Sequence, residues 1–231
     1  MSSDRLAIVT GASSGIGLAI AERLLADGWR VSGLDVNPPR VEHPSFAAVR
    51  VDLTDGAATE AAARAAGDVS ALVHAAGILR VGPLGELKAQ DAEMMWRLHV
   101  DAVARMANIV IPAMATRRDG RVVLVGSRVA QGKAGRSLYA ATKAALIALA
   151  RSWAAEVVAS GVTVNVVSPA ATETEMLQDP ARRAANPQLP PLGRLIRPDE
   201  VASLVSYLAS PAAAAITGQD IQICGGASLA R

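Results

Sequence analysis

The sequence predicts an α/β fold: a parallel, doubly wound sheet of seven strands with helices on both faces, in a single domain. Three observations carry that expectation. Short runs rich in Val, Ile and Leu alternate along the whole chain with longer stretches whose apolar residues recur at spacings of three and four. No linker or internal repeat divides the 231 residues, and a hydrophobic content of 51% is ample for one core. Aromatic residues make up only 3%, so the core is built from Ala, Val, Leu and Ile, which suits helices packed closely on a parallel sheet better than a β-sandwich.

The strands follow in order. They are "LAIVT" from Leu6, "RVSGLD" ending at Asp35, "FAAVRVDL" ending near Leu53, "VSALVHAA" ending near Ala76, "GRVVLVGS" ending at Ser127, "VTVNVVSP" ending at Pro169 and "DIQIC" ending at Cys224. Helical patterns lie between them, over Leu18 to Asp27, Ala57 to Ala66, Ala89 to Ala115, Ser137 to Ala159 and Pro198 to Leu208. The last opens with Pro and two acids, as a helix N-terminus should. Strands alternating with helices imply right-handed crossovers and a sheet covered on both faces. The stretch at about 171–197 is rich in Pro, Arg and polar residues and has no strand pattern. It follows the C-terminal end of a strand, where ligands of open α/β sheets bind, and reads as a substrate lid; the competing reading is a solvated surface excursion.

Composition narrows the partners. The net charge is +2 with Lys and Arg interspersed among Asp and Glu, so no nucleic-acid footprint stands out despite a calculated pI near 9.0. One cysteine, Cys224, excludes an internal disulfide and a cysteine-cluster metal site, and no metal is expected. No uninterrupted apolar run reaches the roughly 18 residues of a membrane span, and the apolar part of "MSSDRLAIV" is too short for a signal peptide. The expectation is a cytoplasmic protein acting on a small molecule.

"TGASSGIG", Thr10 to Gly17, places three glycines between a strand and a helix. A turn would explain them, but the strand–turn–helix context is that of a phosphate cradle, in which backbone N–H groups and a helix N-terminus approach a pyrophosphate. In that reading Gly11 permits the turn, Gly15 lets the backbone approach the ligand, and Gly17 allows the helix to pack closely. Ser13 and Ser14 would add hydroxyl contacts beside Ile16. Asp35 lies roughly 20 residues beyond, where an acid bonds the hydroxyls of an adenosine ribose and repels a 2′-phosphate. Neither Ser14 nor Val36 is basic, so NAD is expected rather than NADP.

"SLYAATKAAL" puts Tyr139 and Lys143 four residues apart, on one face of a helix. A phenol titrates near pH 10, and an ammonium one turn away favours its phenolate, so Tyr139 becomes able to exchange a proton with a substrate oxygen. Ser127, at the end of the fifth strand, is placed to donate a hydrogen bond to that oxygen.

These residues, taken in order, resemble the short-chain dehydrogenase/reductase family, in its short single-domain subgroup with "TGxxxGIG" and "YxxxK" motifs. The resemblance covers essentially the whole length, with "VDL" at Asp52 and Leu53, "AAG" at Ala75 to Gly77, "NVVSPA" at Asn165 to Ala170 and "GG" at Gly225 and Gly226 also matching. It implies a seven-stranded Rossmann-type sheet in a homo-oligomer, tetramer or dimer, that interconverts an alcohol and a carbonyl with a nicotinamide cofactor. It implies that Tyr139 is the acid/base, that Lys143 lowers its pKa and bonds the nicotinamide ribose, and that Ser127 orients the substrate. It also implies that Asp52 and Leu53 flank the adenine, that Ala75, Ala76 and Gly77 contact the cofactor, and that Pro169, Thr172 and Thr174 meet its nicotinamide end.

The chain departs from the family pattern at four places. "HAAG" has His74 where Asn is usual, and "RLHVDAV" has His99 where the family's Asn supports a water-mediated proton path to the lysine. Neutral imidazole both donates and accepts, so His99 reads either as a substitute relay with its own pH dependence or as a hydrogen-bonded core residue. "PA" replaces "PG" at Pro169 and Ala170, and Cys224 replaces the Asp of "DGG"; that cysteine reads as a small packed residue.

The expected activity is NAD(H)-dependent interconversion of a small or medium, uncharged to weakly acidic secondary alcohol and a ketone. Leu79, Val129, Leu138, Met176 and Leu177 are the expected apolar wall, with Arg80, Arg128 or Arg136 able to meet an acidic group. Two alternatives stand beside it. One is a 3-oxoacyl thioester reductase, which usually prefers NADPH and against which Asp35 argues. The other is a nucleotide-sensing protein without turnover, against which the intact Ser127, Tyr139 and Lys143 argue.

Overall fold

The computed structural model describes residues 5–178 and 189–229. Strands β1 (Leu6–Thr10), β2 (Arg30–Asp35), β3 (Phe46–Arg50), β4 (Val69–His74), β5 (Gly120–Val125), β6 (Val162–Pro169) and β7 (Asp220–Ile223) form one parallel sheet in the order β3-β2-β1-β4-β5-β6-β7. The helices are α1 (Gly15–Ala26), α2 (Gly56–Ala65), α3 (Ala89–Trp96), α4 (Ala102–Arg117), α5 (Ser137–Val157) and α6 (Pro198–Ala209).

Period-two alternation divides β1 between two cores. In β1, Leu6 and Ile8 join the layer formed with α2, α4 and α5, where Met106, Met114 and Leu146 are fully buried. Ala7 and Val9 face the opposite layer, where Ile20 and Leu24 of α1 pack with Val201, Val205 and Leu208 of α6. The strand order reverses between β1 and β4, which opens a crevice at the C-terminal ends of the strands, as expected for a doubly wound sheet.

Several boundaries differ from the sequence reading: β4 ends at His74 rather than near Ala76, β5 at Val125 rather than Ser127, α5 at Val157 rather than Ala159 and β7 at Ile223 rather than Cys224, and two further differences shape the site. β3 stops at Arg50 because Asp52 folds the chain away, its Oδ1 accepting the N–H and hydroxyl of Thr54 at 2.9 and 2.8 Å. Asp55 then caps α2 by accepting Ala57 and Ala58 N–H groups. The continuous helix expected over Ala89 to Ala115 is broken by a wide π-turn, Arg97–Asp101, which carries His99 into the interior. The whole Ala89–Arg117 stretch is long and apolar enough by length and composition to cross a membrane, yet half of its most apolar window is buried, with Val103, Met106 and Val110 in the core.

Of the expected lid, residues 179–188 lie outside the described residues. Its two ends are stapled together: Thr172 bridges Ile196, Glu173 N–H donates to the Ile196 carbonyl at 2.9 Å, and Ile196 N–H donates to Ala171 at 3.0 Å. A short 3₁₀ turn, Glu175–Gln178, follows.

Candidate active site

The C-terminal ends of β1, β2, β4, β5 and β6 open onto one continuous cavity of about 520 Å³. Its walls include Gly11, Ser14, Gly15, Ile16 and Gly17 from the glycine segment, Asp35, Asp52 and Leu53 at one end, Ala75, Ala76 and Gly77 in the middle, and Ser127, Tyr139, Lys143, Pro169, Thr172 and Thr174.

The glycines are required by contacts that any side chain would violate. A Cβ on Gly17 would stand 2.1 Å from the Gly11 carbonyl oxygen, so only glycine lets α1 start against the preceding turn. Gly11 has φ +69°, and a Cβ there would meet the Ala76 backbone at 2.9 Å. Ser14 is extended and makes no side-chain cap, and α1 has no acid in its first turn, which leaves its first N–H groups facing the cavity as an anion cradle. Ser13 departs from expectation. It is not part of the cavity wall, because its N–H is taken by Asp35 Oδ2 at 2.9 Å and its hydroxyl donates to the Asn37 carbonyl at 3.3 Å.

Asp35 itself reaches the cavity. Its Oδ1 accepts both the backbone N–H and the side-chain amide of Asn37, at 2.9 and 3.2 Å. With Ser13 on Oδ2, three of its roughly four acceptor positions are occupied, leaving Oδ2 able to take one further hydroxyl proton. Sheet register sets Arg50 of β3 beside Asp35, its Nε donating to the Val36 carbonyl at 3.2 Å. The sequence reading of the glycine loop and of Val36 missed this cation, since only strand pairing brings it there.

At the opposite end, Ser127 is held in extended backbone, and its Oγ accepts the Val129 N–H at 3.2 Å, which leaves its hydroxyl proton for a group in the cavity. Lys143, one turn after Tyr139 on α5, is buried and donates from Nζ to the Val125 carbonyl at 2.8 Å. Burial lowers its pKa to about 8. Its Nζ lies 5.8 Å from the Tyr139 ring centre.

His99 sits behind this wall and does not line the cavity. Its Nε2 accepts the Ile78 N–H at 3.0 Å, and its Nδ1 lies 2.8 Å from Thr142 Oγ1, whose own proton goes to the Tyr139 carbonyl at 2.9 Å. Donor counting therefore fixes a neutral ring with the proton on Nδ1. Its edge meets the Tyr139 ring at 90° with centroids 5.7 Å apart. Burial, then the Lys143 ammonium, hold its pKa at about 2, so the pH dependence expected of it as a relay falls far below the neutral range. His74 is bound similarly. Thr10 Oγ1 accepts the N–H groups of Ala75 and Ala76, so it gives its proton to His74 Nδ1 at 2.9 Å. His74 Nε2 then carries the ring proton. The backbone of Leu98 and His99, in the π-turn, lies near it, but it makes no hydrogen bond among the described residues. Burial first, and Lys143 second, lower its pKa to about 3.

The remaining expectations divide. Leu79, Val129, Met176, Leu177, Arg128 and Arg136 line the cavity; Leu138 and Arg80 line a separate small pocket, which Arg136 also borders and where Arg80 faces Asp91 at 3.8 Å. Thr10 and Thr142 were not singled out as functional in the sequence; each supports a histidine that departs from the family pattern. Cys224 is partly buried at the end of β7. No cluster of metal-ligating side chains exists among the described residues.

A phosphate cradle, a ribose-directed acid and a Ser–Tyr–Lys group along one crevice define a nicotinamide-dependent oxidoreductase of the doubly wound type. The comparisons narrow the class. A family model described as "Enoyl-(Acyl carrier protein) reductase" matches residues 11–228. A "3-oxoacyl-[acyl-carrier-protein] reductase FabG" of Vibrio cholerae is 38% identical over 96% of both chains, and the "2,3-dihydro-2,3-dihydroxybenzoate dehydrogenase" of Escherichia coli is 36% identical over the same shares. A solved 3-oxoacyl (acyl-carrier-protein) reductase from Agrobacterium tumefaciens with NADP bound superimposes with a TM-score of 0.87 at 30% identity, covering 96% of this chain and 93% of that one. The chain belongs to the short-chain dehydrogenase/reductase family, and a nicotinamide cofactor is implied.

Proposed function

We propose that this protein is an NAD(H)-dependent alcohol dehydrogenase or carbonyl reductase that interconverts a secondary alcohol and a ketone. The observation that carries the reading is the single cavity with the Asp35 carboxylate at one end and Ser127, Tyr139 and Lys143 at the other. The glycine turn and the start of α1 would hold the dinucleotide's phosphates, with Asp35 on the adenosine ribose and Lys143 near the nicotinamide ribose. When bound, the nicotinamide supplies or accepts the hydride.

The chain's own residues handle the proton. Ser127, its Oγ steadied by Val129 N–H, donates to the substrate oxygen. Tyr139 gives that oxygen its proton during reduction and removes it during oxidation. Lys143, anchored on the Val125 carbonyl, keeps a positive charge near the phenol and so favours its ionised form. His99 acts as a positioning residue that ties the loop after β4 to the turn of α5 bearing Tyr139.

NAD is preferred in this reading because a 2′-phosphate would meet the Asp35 carboxylate. The related structure from Agrobacterium binds NADP, and another structural relative is described in complex with NADPH, which makes cofactor choice the first quantity to measure. A second reading, reduction of a 3-oxoacyl thioester, is supported by several relatives at 37–39% identity that carry that name. One assay separates the two. Oxidation of NADH and of NADPH is followed with simple ketones and with an acetoacetyl thioester, using wild type and Tyr139→Phe. Ketone reduction with NADH that disappears in Tyr139→Phe supports the first reading. Turnover confined to the thioester with NADPH replaces it.

A further inference from the structure

Charge is distributed unevenly along the cavity. Two of its carboxylates, Asp35 and Asp52, lie at the β2–β3 end, and the third, Glu175, is paired with Arg40 at 2.6 Å. The end holding Ser127 and Tyr139 carries two guanidinium groups instead. Arg128 starts the short turn immediately after Ser127, and Arg136 is the residue before α5, three ahead of Tyr139. Both line the cavity and both are half-buried. Among the described residues neither has a carboxylate within ion-pair distance, whereas Arg80, Arg105 and Arg194 all do. Lys133, exposed and also on the cavity wall, has an interaction of its own.

Two half-buried arginines on the wall of one cavity, with no carboxylate in ion-pair distance among the described residues, leave like charges unbalanced and partly dehydrated. An anion between them reverses both costs, and the planar fork of arginine suits a carboxylate in particular. The cofactor's pyrophosphate is not that anion. Its cradle is the β1–α1 turn, whereas both arginines flank Ser127, just after β5, and Tyr139, on α5, where the reacting oxygen would sit. The cavity wall also carries the apolar side chains of Leu79, Val129, Met176 and Leu177.

We propose that the substrate is an anionic ketone or secondary alcohol, a keto or hydroxy acid, whose carboxylate is bound by Arg128 and Arg136 while its hydrocarbon body lies on that apolar wall. The inference rests on the alcohol–ketone reading above and adds to it the class of compound taken. It also divides the specificity of the site between two short segments, one following Ser127 and one preceding Tyr139. The anion is therefore fixed relative to the same two residues that meet the reacting oxygen.

The test uses keto acids paired with their methyl esters: oxocyclohexanecarboxylate, acetoacetate and levulinate, each reduced with NADH. Wild type is expected to favour at least one acid over its ester through KM by about tenfold. Arg128→Gln and Arg136→Gln are each expected to raise that KM by about tenfold while leaving the ester unchanged, with Arg→Lys at either position restoring part of the loss. Equal use of acid and ester by wild type, equal losses on both in the Gln variants, or turnover confined to carrier-bound thioesters would overturn the proposal. A binding measurement separates this failure from failure of the oxidoreductase reading. Protection of the protein–NADH complex from thermal unfolding by the acid and not the ester, abolished in the Gln variants, supports the anion site even if no ketone is turned over; equal protection, or none, overturns it.

Discussion

His99 Nδ1 lies 2.8 Å from Thr142 Oγ1, and because that hydroxyl already gives its proton to the Tyr139 carbonyl, the imidazole must be the donor. With Nε2 taken by Ile78 N–H, both nitrogens are committed, one to the segment after β4 and one to α5. A ring bonded in this way has no nitrogen left for shuttling a proton. The ring links the loop after β4 to the turn of α5 that carries Tyr139.

His99→Ala is therefore expected to lower kcat by about tenfold or more, since the Ile78 N–H and the Thr142 hydroxyl lose a buried partner. The pH–rate profile should keep its shape, because the wild-type ring stays neutral down to about pH 2. His99→Asn, which retains a donor and an acceptor, should recover part of the rate. A profile that loses or shifts an inflection near neutrality in His99→Ala would mean that the ring titrates during turnover, and the positioning role would have to be abandoned.

Two buried neutral histidines make a second prediction about stability in acid. His74 and His99 have folded pKa values of about 3 and about 2 against an ordinary 6.5. Below pH 6.5 the unfolded chain takes up protons that the folded chain refuses, so stability is fully present above that pH and is lost as pH falls toward the folded values. The slope should approach about 1.4 kcal/mol per pH unit for each ring, or about 2.7 kcal/mol for both. Between pH 6.5 and about 5 the carboxylates remain ionised, so this window reports the histidines. Urea unfolding across it, for wild type and His74→Asn/His99→Asn, measures the difference. Parallel curves for the two proteins would show that the histidines are not the groups taking up protons.

The third prediction concerns Asp35. It meets the cavity while Arg50, its register partner on β3, gives one N–H to the Val36 carbonyl and lies outside the wall. Replacing the acid removes the repulsion of a 2′-phosphate and leaves the cation. Asp35→Ser should shift the ratio of NADH to NADPH efficiency toward NADPH by about tenfold or more, and Asp35→Ser/Arg50→Gln should give back part of that shift. Dinucleotide titrations and steady-state rates with both cofactors check it; an unchanged ratio in Asp35→Ser would remove Asp35 from cofactor selection.

How far the site was legible follows from the range of each interaction. Glycine positions and the Tyr139–Lys143 pair are local, set by one turn or one helical repeat, and they appear where the sequence puts them. Gly17 shows why: the 2.1 Å approach a Cβ would make to the Gly11 oxygen is built into an eight-residue segment. What was not legible depends on distant partners. Ser13 turns away from the cavity because Asp35, in the next strand, claims its N–H. Arg50 is brought in by strand register, and Arg80 is drawn off to Asp91. The π-turn at Arg97–Asp101 was hidden for another reason. One wider turn barely disturbs the three-and-four spacing of a long apolar stretch, yet it decides which way His99 points.

Arg40, in the loop after β2, pairs with Glu175, in the turn after β6, at 2.6 Å, and Glu175 lines the cavity. A dinucleotide seated on the glycine turn would lie between the loops that these two residues join, since Thr174 is the residue a Cβ on Gly15 would touch, at 3.2 Å. Both partners are more than half exposed, with side-chain exposures of 56% and 64%, so the pair contributes little to global stability and is screened by salt. Its effect should instead be kinetic. Arg40→Gln and Glu175→Gln should leave the melting temperature nearly unchanged and speed NADH dissociation about two- to fivefold, with wild type approaching the variants as salt is raised. Stopped-flow displacement of bound NADH, read by its fluorescence, gives the rate directly. Equal off-rates for wild type and both variants at low salt would mean that the loops part without breaking this contact, and that release is controlled elsewhere in the crevice.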